Sequence, residues 1–513
     1  MKHKILPVIL LLILGSCSDT LRETPENFFS EQTVFSTEAG VETAVNGVYA
    51  RLSQPNYYGT EWHNFLTPNS GKFYSSQNAN RDGVALTVNT NNNLVARIWE
   101  GAYETINAAN TVIDNLEQSD LSNAERALGD AYFLRAVAYF DLIRLFGAVP
   151  LRTEPTELET IHLARTDRAR VIELIEEDMN RAKTLLPEAG AQLPGRPSRL
   201  VPNVYLAKLY ATLAGEDNGN EARWADAWSE IEPVLNSGAY ELVPTFAELF
   251  EPNNENTVES LFELQYGQTG GQRNSDLVRL YTPSRSTFSA SNVQTFGRVR
   301  PNKETYDEHL ATYPADPRLA ATFIAGSYER FDGSTQKIYP EKTNGNQGFA
   351  VVRKWLDPSY NGTTTNRNFI VLRYADVLLL AAEIENELRG PDGAYTYVNQ
   401  VLARARDVDG DGESDTDQPA DYTDLSQDEF RDRILDERRF ELLSEGHEWF
   451  DLRRRGYDYF LNEAIIPHNT HPTFDETTDF VYPDDPRSLL LPIPLVEISG
   501  NQAIGPEDQN PGY

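Results

Sequence analysis

The chain has one cysteine in 513 residues, Cys17, so neither an internal disulfide nor a cysteine-based zinc site can form. Cations are also scarce: Lys and Arg number 45 against 78 Asp and Glu, a net charge of −33. The acidic residues are spread along the chain, which leaves no basic face to neutralise phosphates, so nucleic acid is excluded as a partner. No apolar run reaches the roughly 20 residues needed to span a bilayer. Several catalytic signatures are missing as well. His447-Glu448-Trp449-Phe450-Asp451 lacks the second histidine of a zincin helix, no Gly-x-Ser-x-Gly elbow occurs, and Gly71-Lys72-Phe73 has neither the spacing nor the hydroxyl of a phosphate loop. His468-x-x-His471 follows Pro467 in loop context and reads as solvated polar groups, not as a zinc site. What is present is enough for a large core: 40% hydrophobic and 11% aromatic residues argue for a folded chain.

The first residues have an order that no globular core needs. Lys2 and Lys4 precede the apolar run Ile5 to Leu14, and small residues follow before Cys17. Leu14-Gly15-Ser16-Cys17 resembles a bacterial lipobox, which implies cleavage after residue 16 and a lipid on the Cys17 thiol. Residues 1–16 then form a signal peptide and residues 17–30 a polar tether. The body, residues 31–513, reads as one domain: a helical part 31–244, a loop-rich part 245–368 and a second helical part 369–513.

Helical spacing recurs through both helical parts. Val41, Val45, Val48 and Leu52 follow a Ser36/Thr37 cap; Leu94, Ile98, Ala102, Ile106, Ala109, Ile113 and Leu116 mark a longer helix. Ser122-x-x-Glu125 predicts a capping box for a helix ending at Gly147. Further helices are predicted at about 167–186, 202–214, 222–236, 372–388, 393–406 and 426–445. Two of these carry the same pattern at the same spacing, Ala227-Trp228-x-x-Ile231-x-x-Val234-Leu235 and Ala394-Tyr395-x-x-Val398-x-x-Val401-Leu402. Leu128-Gly129-x-x-Tyr132, Leu206-Ala207-x-x-Tyr210 and Leu380-Ala381-x-x-Ile384 share a second pattern. Both resemble tetratricopeptide repeats, in which a small residue lets paired helices approach. Between Thr245 and Asn368 no long helical period survives, and loops with short strands are predicted.

Longer motifs carry a family resemblance. Leu372-Arg373-Tyr374-Ala375-Asp376-Val377, Asp436-Glu437-Arg438-Arg439-Phe440-Glu441, Glu445-Gly446-His447-Glu448-Trp449-Phe450-Asp451-Leu452-Arg453-Arg454, Leu491-Pro492-Ile493-Pro494 and Gln509-Asn510-Pro511-Gly512-Tyr513 closely resemble the SusD/RagB family. So do Asn46-Gly47-Val48-Tyr49 and Trp99-x-x-x-Tyr103-x-x-Ile106 near the start. The resemblance implies a mainly α fold of about four tetratricopeptide-like helix pairs carrying a loop-rich ligand-binding half. It also implies an outer-membrane lipoprotein of Bacteroidetes, facing outward, that captures a nutrient and associates with a TonB-dependent transporter.

The motif charges read as scaffold. Glu437, Arg438 and Glu441 continue a buried stripe and are expected to be ion-paired within helix packing. A glycosidase acid/base pair drawn from Glu441, Glu445 and Asp451 is the alternative, an all-α lipoprotein enzyme of polysaccharide breakdown. Arginines bracket those carboxylates, which favours structure and hence binding without catalysis. No cofactor is required. One stretch reads either as a solvated acidic surface loop or as a calcium site: Asp407, Asp409, Asp411 and Asp415 stand at calcium-loop positions with Gly412 at the turn, and the Glu413 carbonyl would complete it. Position 12 is Gln418, so the bidentate acid is missing.

A sugar offers apolar C–H faces rimmed by hydroxyls, so a glycan surface needs exposed aromatics among amides and guanidinium groups. Two stretches supply that combination. The first runs from Tyr57-Tyr58-x-x-x-Trp62 through Phe73-Tyr74 to Asn78 and Arg81; the second runs from Tyr281 through Phe288 to Phe296. Trp62 and Tyr74 lead, in polar, turn-rich context with no helical stripe to join. The expected ligand is an oligosaccharide or polysaccharide ahead of a peptide.

Overall fold

The computed structural model describes residues 31–513 apart from 217–219, 268–274, 292, 343–347, 363–364 and 366. The signal peptide, Cys17 and the tether therefore lie outside the described residues. Nine helices make the frame. They are α1 (Glu38–Leu52), α2 (Asn93–Leu116), α3 (Ala124–Phe146), α4 (Arg168–Leu185), α5 (Val201–Glu216), α6 (Glu221–Leu235), α7 (Tyr374–Arg389), α8 (Pro391–Arg406) and α9 (Gln427–Leu442). The Thr37 side chain caps α1 by accepting from Gly40 N, and Asn92 caps α2 by accepting from Leu94 N and Val95 N. The predicted box at Ser122 is not formed. Ser122 donates to Glu38 and no side chain caps α3, whereas Ser426 and Glu429 make a full box at the start of α9.

The helices pack as four pairs: α1 with α2, α3 with α4, α5 with α6, and α7 with α8. Contacts of α2 with α3, α4 with α5 and α6 with α7 join the pairs into one curved stack, and α9 closes it against α7. Gly129 shows why the repeat needs a small residue. A Cβ there would lie 3.1 Å from Leu185 and Leu186, so α3 and α4 approach more closely than a side chain allows. The α3 helix is buried almost all round, from Ala131 through Phe146, and forms the centre of the main core. Its end is satisfied by the C-terminal motif: Asn510 Nδ2 donates to Phe146 O at 3.0 Å and to Leu491 O at 2.7 Å.

The loop-rich half is tied down by short antiparallel ladders. Strand β1 (Phe73–Ser75) pairs with β3 (Val299–Pro301), β2 (Ser260–Leu264) with β6 (Phe369–Arg373), and β4 (Ser327–Glu329) with β5 (Thr335–Lys337). The β2–β6 ladder brings both ends of the long excursion back to one place, so the chain re-enters the helical stack at α7 where it left. Within the excursion stands a ten-residue helix, Lys303–Thr312, in a region whose sequence shows no long helical period.

The charged motif residues hold the two halves together from inside. Arg373, 1% exposed, donates to Glu259 (2.8 Å), Glu441 (2.7 Å) and Glu445 (2.6 Å). Arg318, fully buried, reaches Asp316 (2.8 Å), Glu437 (2.6 Å) and Glu441 (3.0 Å). Arg438 bridges Asp376 (2.8 Å) and Asp451 (2.9 Å). Buried charges persist only when paired in this way.

Candidate functional site

The site is built on β1. Tyr74 sits opposite Arg300 in the β1–β3 ladder, and period-two alternation turns its ring away from the core that takes Phe73 and Ser75. The half-buried Tyr74 ring lies flat on Phe349, centroids 4.3 Å apart and planes 11° apart. On the other side the Phe480 ring runs nearly parallel to it, at 6.3 Å and 20°. The exposed Arg81 guanidinium stands 5.4 Å from the Phe480 centroid, and Asn78 is exposed on the turn between. The result is a row of ring faces ending in a cation, with amides beside it.

The surroundings fix this row without using its hydrogen-bonding edge. Lys303 pairs with Asp479 at 2.6 Å and lies 5.4 Å over the buried Phe349 ring, anchoring the segment that carries Phe480. His468 donates Nε2–H to the Phe480 carbonyl (2.9 Å), shares a hydrogen bond through Nδ1 with Glu304 (2.8 Å), and stacks on Tyr482 at 3.9 Å. It is buried, not solvated as its loop context suggests, and it works as a brace behind Phe480. Burial raises the Glu304 carboxyl, but His468 and Lys72 outweigh it and hold Glu304 below its ordinary value. Arg300 is the unusual neighbour. It is 5% exposed, donates Nε to Gly297 O at 2.7 Å, leaves Nη1 without a partner, and has no carboxylate among the described residues. Burial pulls it below the usual guanidinium range, with Tyr328 and Tyr74 opposing.

Of the residues predicted to meet ligand, Tyr74, Asn78 and Arg81 come together here. Trp62 does not. It is 3% exposed, stacked on Tyr58 at 4.1 Å and 16°, and packed against Phe450 at 5.7 Å. Gly446 faces it so closely that a Cβ would lie 2.4 Å from its Nε1, at a backbone φ of +88° that favours glycine. Tyr57 and Tyr58 are likewise core, both donating to Asp141 of α3 (2.6 and 2.8 Å). Tyr281 is completely buried, and Phe288 is half-buried against Tyr328 in a small satellite core. Phe296 lies between the Arg279 and Arg298 guanidiniums, 4.3 and 3.8 Å away. Turn-rich context in the sequence thus did not separate exposed rings from buried ones, because the long chain around it supplied enough core to swallow most of them. Phe349 and Phe480 were missed. No local pattern links them to residue 74; only the ladder and the His468 brace do. Phe331, 42% exposed on the β4–β5 turn, is a further aromatic of this half that the sequence reading passed over.

The carboxylates considered for catalysis, Glu441, Glu445 and Asp451, are all paired with arginines. Burial raises Glu441 and Asp451, but Arg404, Arg373 and Arg318 around the first, and Arg438 and Arg454 around the second, hold both far below the carboxylate range. At the calcium loop, oxygens of Asp407, Asp409 and Asp415 lie within 4.8 Å of one another, while Asp411 and Glu413 are not part of that group. Asp411 instead accepts from Glu413 N, at 2.9 Å. Gly412 has the positive φ, +88°, that the turn requires. Gln418 cannot stand in for the missing acid, since its Oε1 accepts from Ala315 N at 2.9 Å. The hard oxygen donors fit calcium, with fewer ligands than the full loop pattern supplies.

Comparison with known proteins agrees with this architecture. Residues 214–513 match the model of the SusD family, and residues 21–211 match a model described as starch-binding, associating with the outer membrane. SusD-like protein P2 of Formosa agariphila is 29% identical, covering 100% of both chains. Among solved structures, a SusD homolog from Bacteroides thetaiotaomicron superposes with a TM-score of 0.81 at 22% identity, covering 94% of this chain and 99% of that one. Surface glycan-binding protein A from Bacteroides uniformis superposes with a TM-score of 0.70 at 22% identity, covering 91% and 99%. With paired helices, buried ion network and terminal motif all in place, this chain belongs to the SusD/RagB family.

Proposed function

We propose that this protein binds an oligomeric glycan on the Tyr74 row, without altering it, and delivers it to a TonB-dependent transporter in the outer membrane. The observation that carries the reading is the partly exposed pair Tyr74 and Phe480 beside the exposed Arg81, with the buried Phe349 ring supporting Tyr74 from behind, because near-parallel rings with a guanidinium at the rim match the apolar faces and hydroxyl edges of sugars. The relative named as a glycan-binding protein shares the fold, which supports the same class of ligand. In this reading the protein is attached through a lipid on Cys17 and faces outward; the lipobox-like start supports the anchor, and the description of the N-terminal family model supports the outer membrane. Glu441 and Asp451, the carboxylates an enzyme would have needed, are consumed by arginines, which supports capture over cleavage.

Retention on immobilised polysaccharides tests the site. Tyr74→Ala and Phe480→Ala are each expected to weaken retention while the fold stays intact, and equal retention of both variants would move the site elsewhere. Palmitate labelling that persists in Cys17→Ala would remove the lipid anchor from the reading.

A further inference from the structure

A second cleft, of about 460 Å³, lies away from the Tyr74 row and shares no residue with it. It opens where the end of α3 meets α5, the Trp449–Arg454 segment and the C-terminal tail. Its walls carry five arginines, Arg144, Arg168, Arg453, Arg454 and Arg487, and one acid, Glu216. In a chain of net charge −33 that balance is inverted.

Four of the five cations are answered by carboxylates. Arg144 pairs with Asp141 (2.6 Å), Arg454 with Glu383 (2.6 Å), Arg487 with Asp485 (2.7 Å), and Arg168 with Glu216. Arg453 has no carboxylate among the described residues. Its N–H groups go to the backbone carbonyls of Ser488 (2.8 Å), Asn69 (2.9 Å) and Trp449 (3.3 Å), and its guanidinium lies 4.3 Å from the Trp449 ring centroid and 4.1 Å from that of Phe460. Burial draws it down to about 9, which leaves it charged at neutral pH. The cleft therefore keeps one guanidinium without a carboxylate partner among the described residues, beside low-dielectric walls where a field is focused instead of screened.

Donors are also left over. Arg168 Nε is buried without a partner, and among the described residues Arg144 Nη1 and Arg487 Nη2 have no acceptor. Arg144 is held rigid between the Phe140 and Phe450 rings, 3.8 and 3.6 Å from their centroids, so its free arm is preorganised. Most of the remaining wall, Ile143, Phe450 and Leu490 included, is apolar, with Thr212 and Asn510 as polar exceptions. An ion alone would leave those walls in water, whereas a ring with one charged substituent would cover them.

We propose that this cleft binds a sugar-sized molecule carrying a single carboxylate or sulfate, the anion meeting the arginine donors and the ring resting on the apolar walls. Guanidinium groups bind carboxylate and sulfate oxygens through the same charge-assisted hydrogen bonds, so both sources share one chemistry. The site is independent of the glycan reading of the Tyr74 row and stands or falls separately.

Calorimetric titration of the mature protein with glucuronate, glucose 6-sulfate, methyl glucuronate ester and glucose tests it. One or both anions should bind, and the acid and the sulfate arms identify which group is preferred. The ester and glucose, equal in size but neutral, should bind at least about tenfold more weakly, the loss of a charge-assisted contact. Arg168→Gln and Arg487→Gln, partly exposed and so tolerant of substitution, should each weaken anion binding about tenfold. Tyr74→Ala should leave it unchanged. Arg453→Met should abolish it, and the two glutamine variants decide the matter if that chain does not fold. The proposal is overturned if neither anion binds at millimolar concentration, if ester and acid bind alike, or if Tyr74→Ala removes binding that the arginine variants retain.

Discussion

Replacing Trp62 with alanine separates core from surface among the aromatics of the β1 region. The ring is 3% exposed, stacked on Tyr58, edge-on to Tyr57 at 5.9 Å and tilted against Phe450 at 5.7 Å. A buried tryptophan removes roughly 150–250 Å² from water. At about 25 cal/mol per Å² that is about 4–6 kcal/mol of transfer free energy, close to the roughly 3–5 kcal/mol lost when large aromatics in cores become alanine. The backbone at Gly446 presses on the ring from one side, so partial collapse into the cavity is restricted and the loss should fall high in that range. Tyr74→Ala is the control. Its ring is only partly buried, so the same reckoning gives about 2–3 kcal/mol, roughly half the loss expected for Trp62. Urea unfolding followed by circular dichroism at the helical minimum reads both. A large shift of the midpoint for Trp62→Ala and a smaller one for Tyr74→Ala is expected; an unshifted Trp62→Ala would refute the placement of this ring in the core.

Arg373→Gln should be among the most destabilising single changes, about 3–5 kcal/mol, because it strands Glu259, Glu441 and Glu445 without their shared cation; thermal unfolding within about 1 kcal/mol of wild type would contradict this. Two sets of buried carboxylates should respond to pH with opposite sign. Glu441, Asp451 and Asp316 sit below their unfolded values, so their contribution is complete above about pH 4 and is lost as pH falls. Glu437 and Glu448 are raised by burial to about 7, so their contribution is complete below about pH 4.5 and is lost as pH rises toward 7. Glu448→Gln should therefore flatten part of the change in melting temperature between pH 5 and pH 7, and a variant whose pH profile parallels wild type would oppose that account. Calcium is predicted to bind weakly at Asp407, Asp409 and Asp415, toward the roughly 10⁻⁴–10⁻³ M end, since no bidentate acid closes the loop. Calorimetry on chelated protein should show heat at millimolar calcium, and silence there would return the loop to an ordinary solvated turn.

The helical frame was legible because burial imposes a 3.6-residue period over long stretches. Ile98, Ala102, Ile106, Ala109 and Ile113 all lie in the core where their spacing puts them, and the repeated Ala227 and Ala394 are both fully buried at helix contacts. The ion network was legible too, since charges on a buried stripe have to be paired. Local signals failed where tertiary partners compete with them. The Ser122 hydroxyl found Glu38 from α1 in place of its own helix, and Trp62, in turn-rich sequence, was covered by a helix nearly four hundred residues further along the chain. The candidate site was half legible. Tyr74, Asn78 and Arg81 are neighbours in sequence, but Phe349 and Phe480 reach them only through the β1–β3 ladder, Lys303 and His468, contacts of high sequence separation that no window of residues contains.

The central claim, capture of an oligomer without chemistry, is tested most directly by one titration series. The purified protein is titrated with a ladder of oligosaccharides of increasing length from a polysaccharide it retains, and each ligand is then recovered and sized. Each aromatic contact contributes only roughly 0.5–1.5 kcal/mol, so one sugar is held weakly and several together are held usefully. Affinity should rise with length until the surface from Tyr74 through Phe480 to Arg81 is covered, and every ligand should come back at its starting length. Shortened products, or affinity that is flat from the monosaccharide upward, would contradict the account.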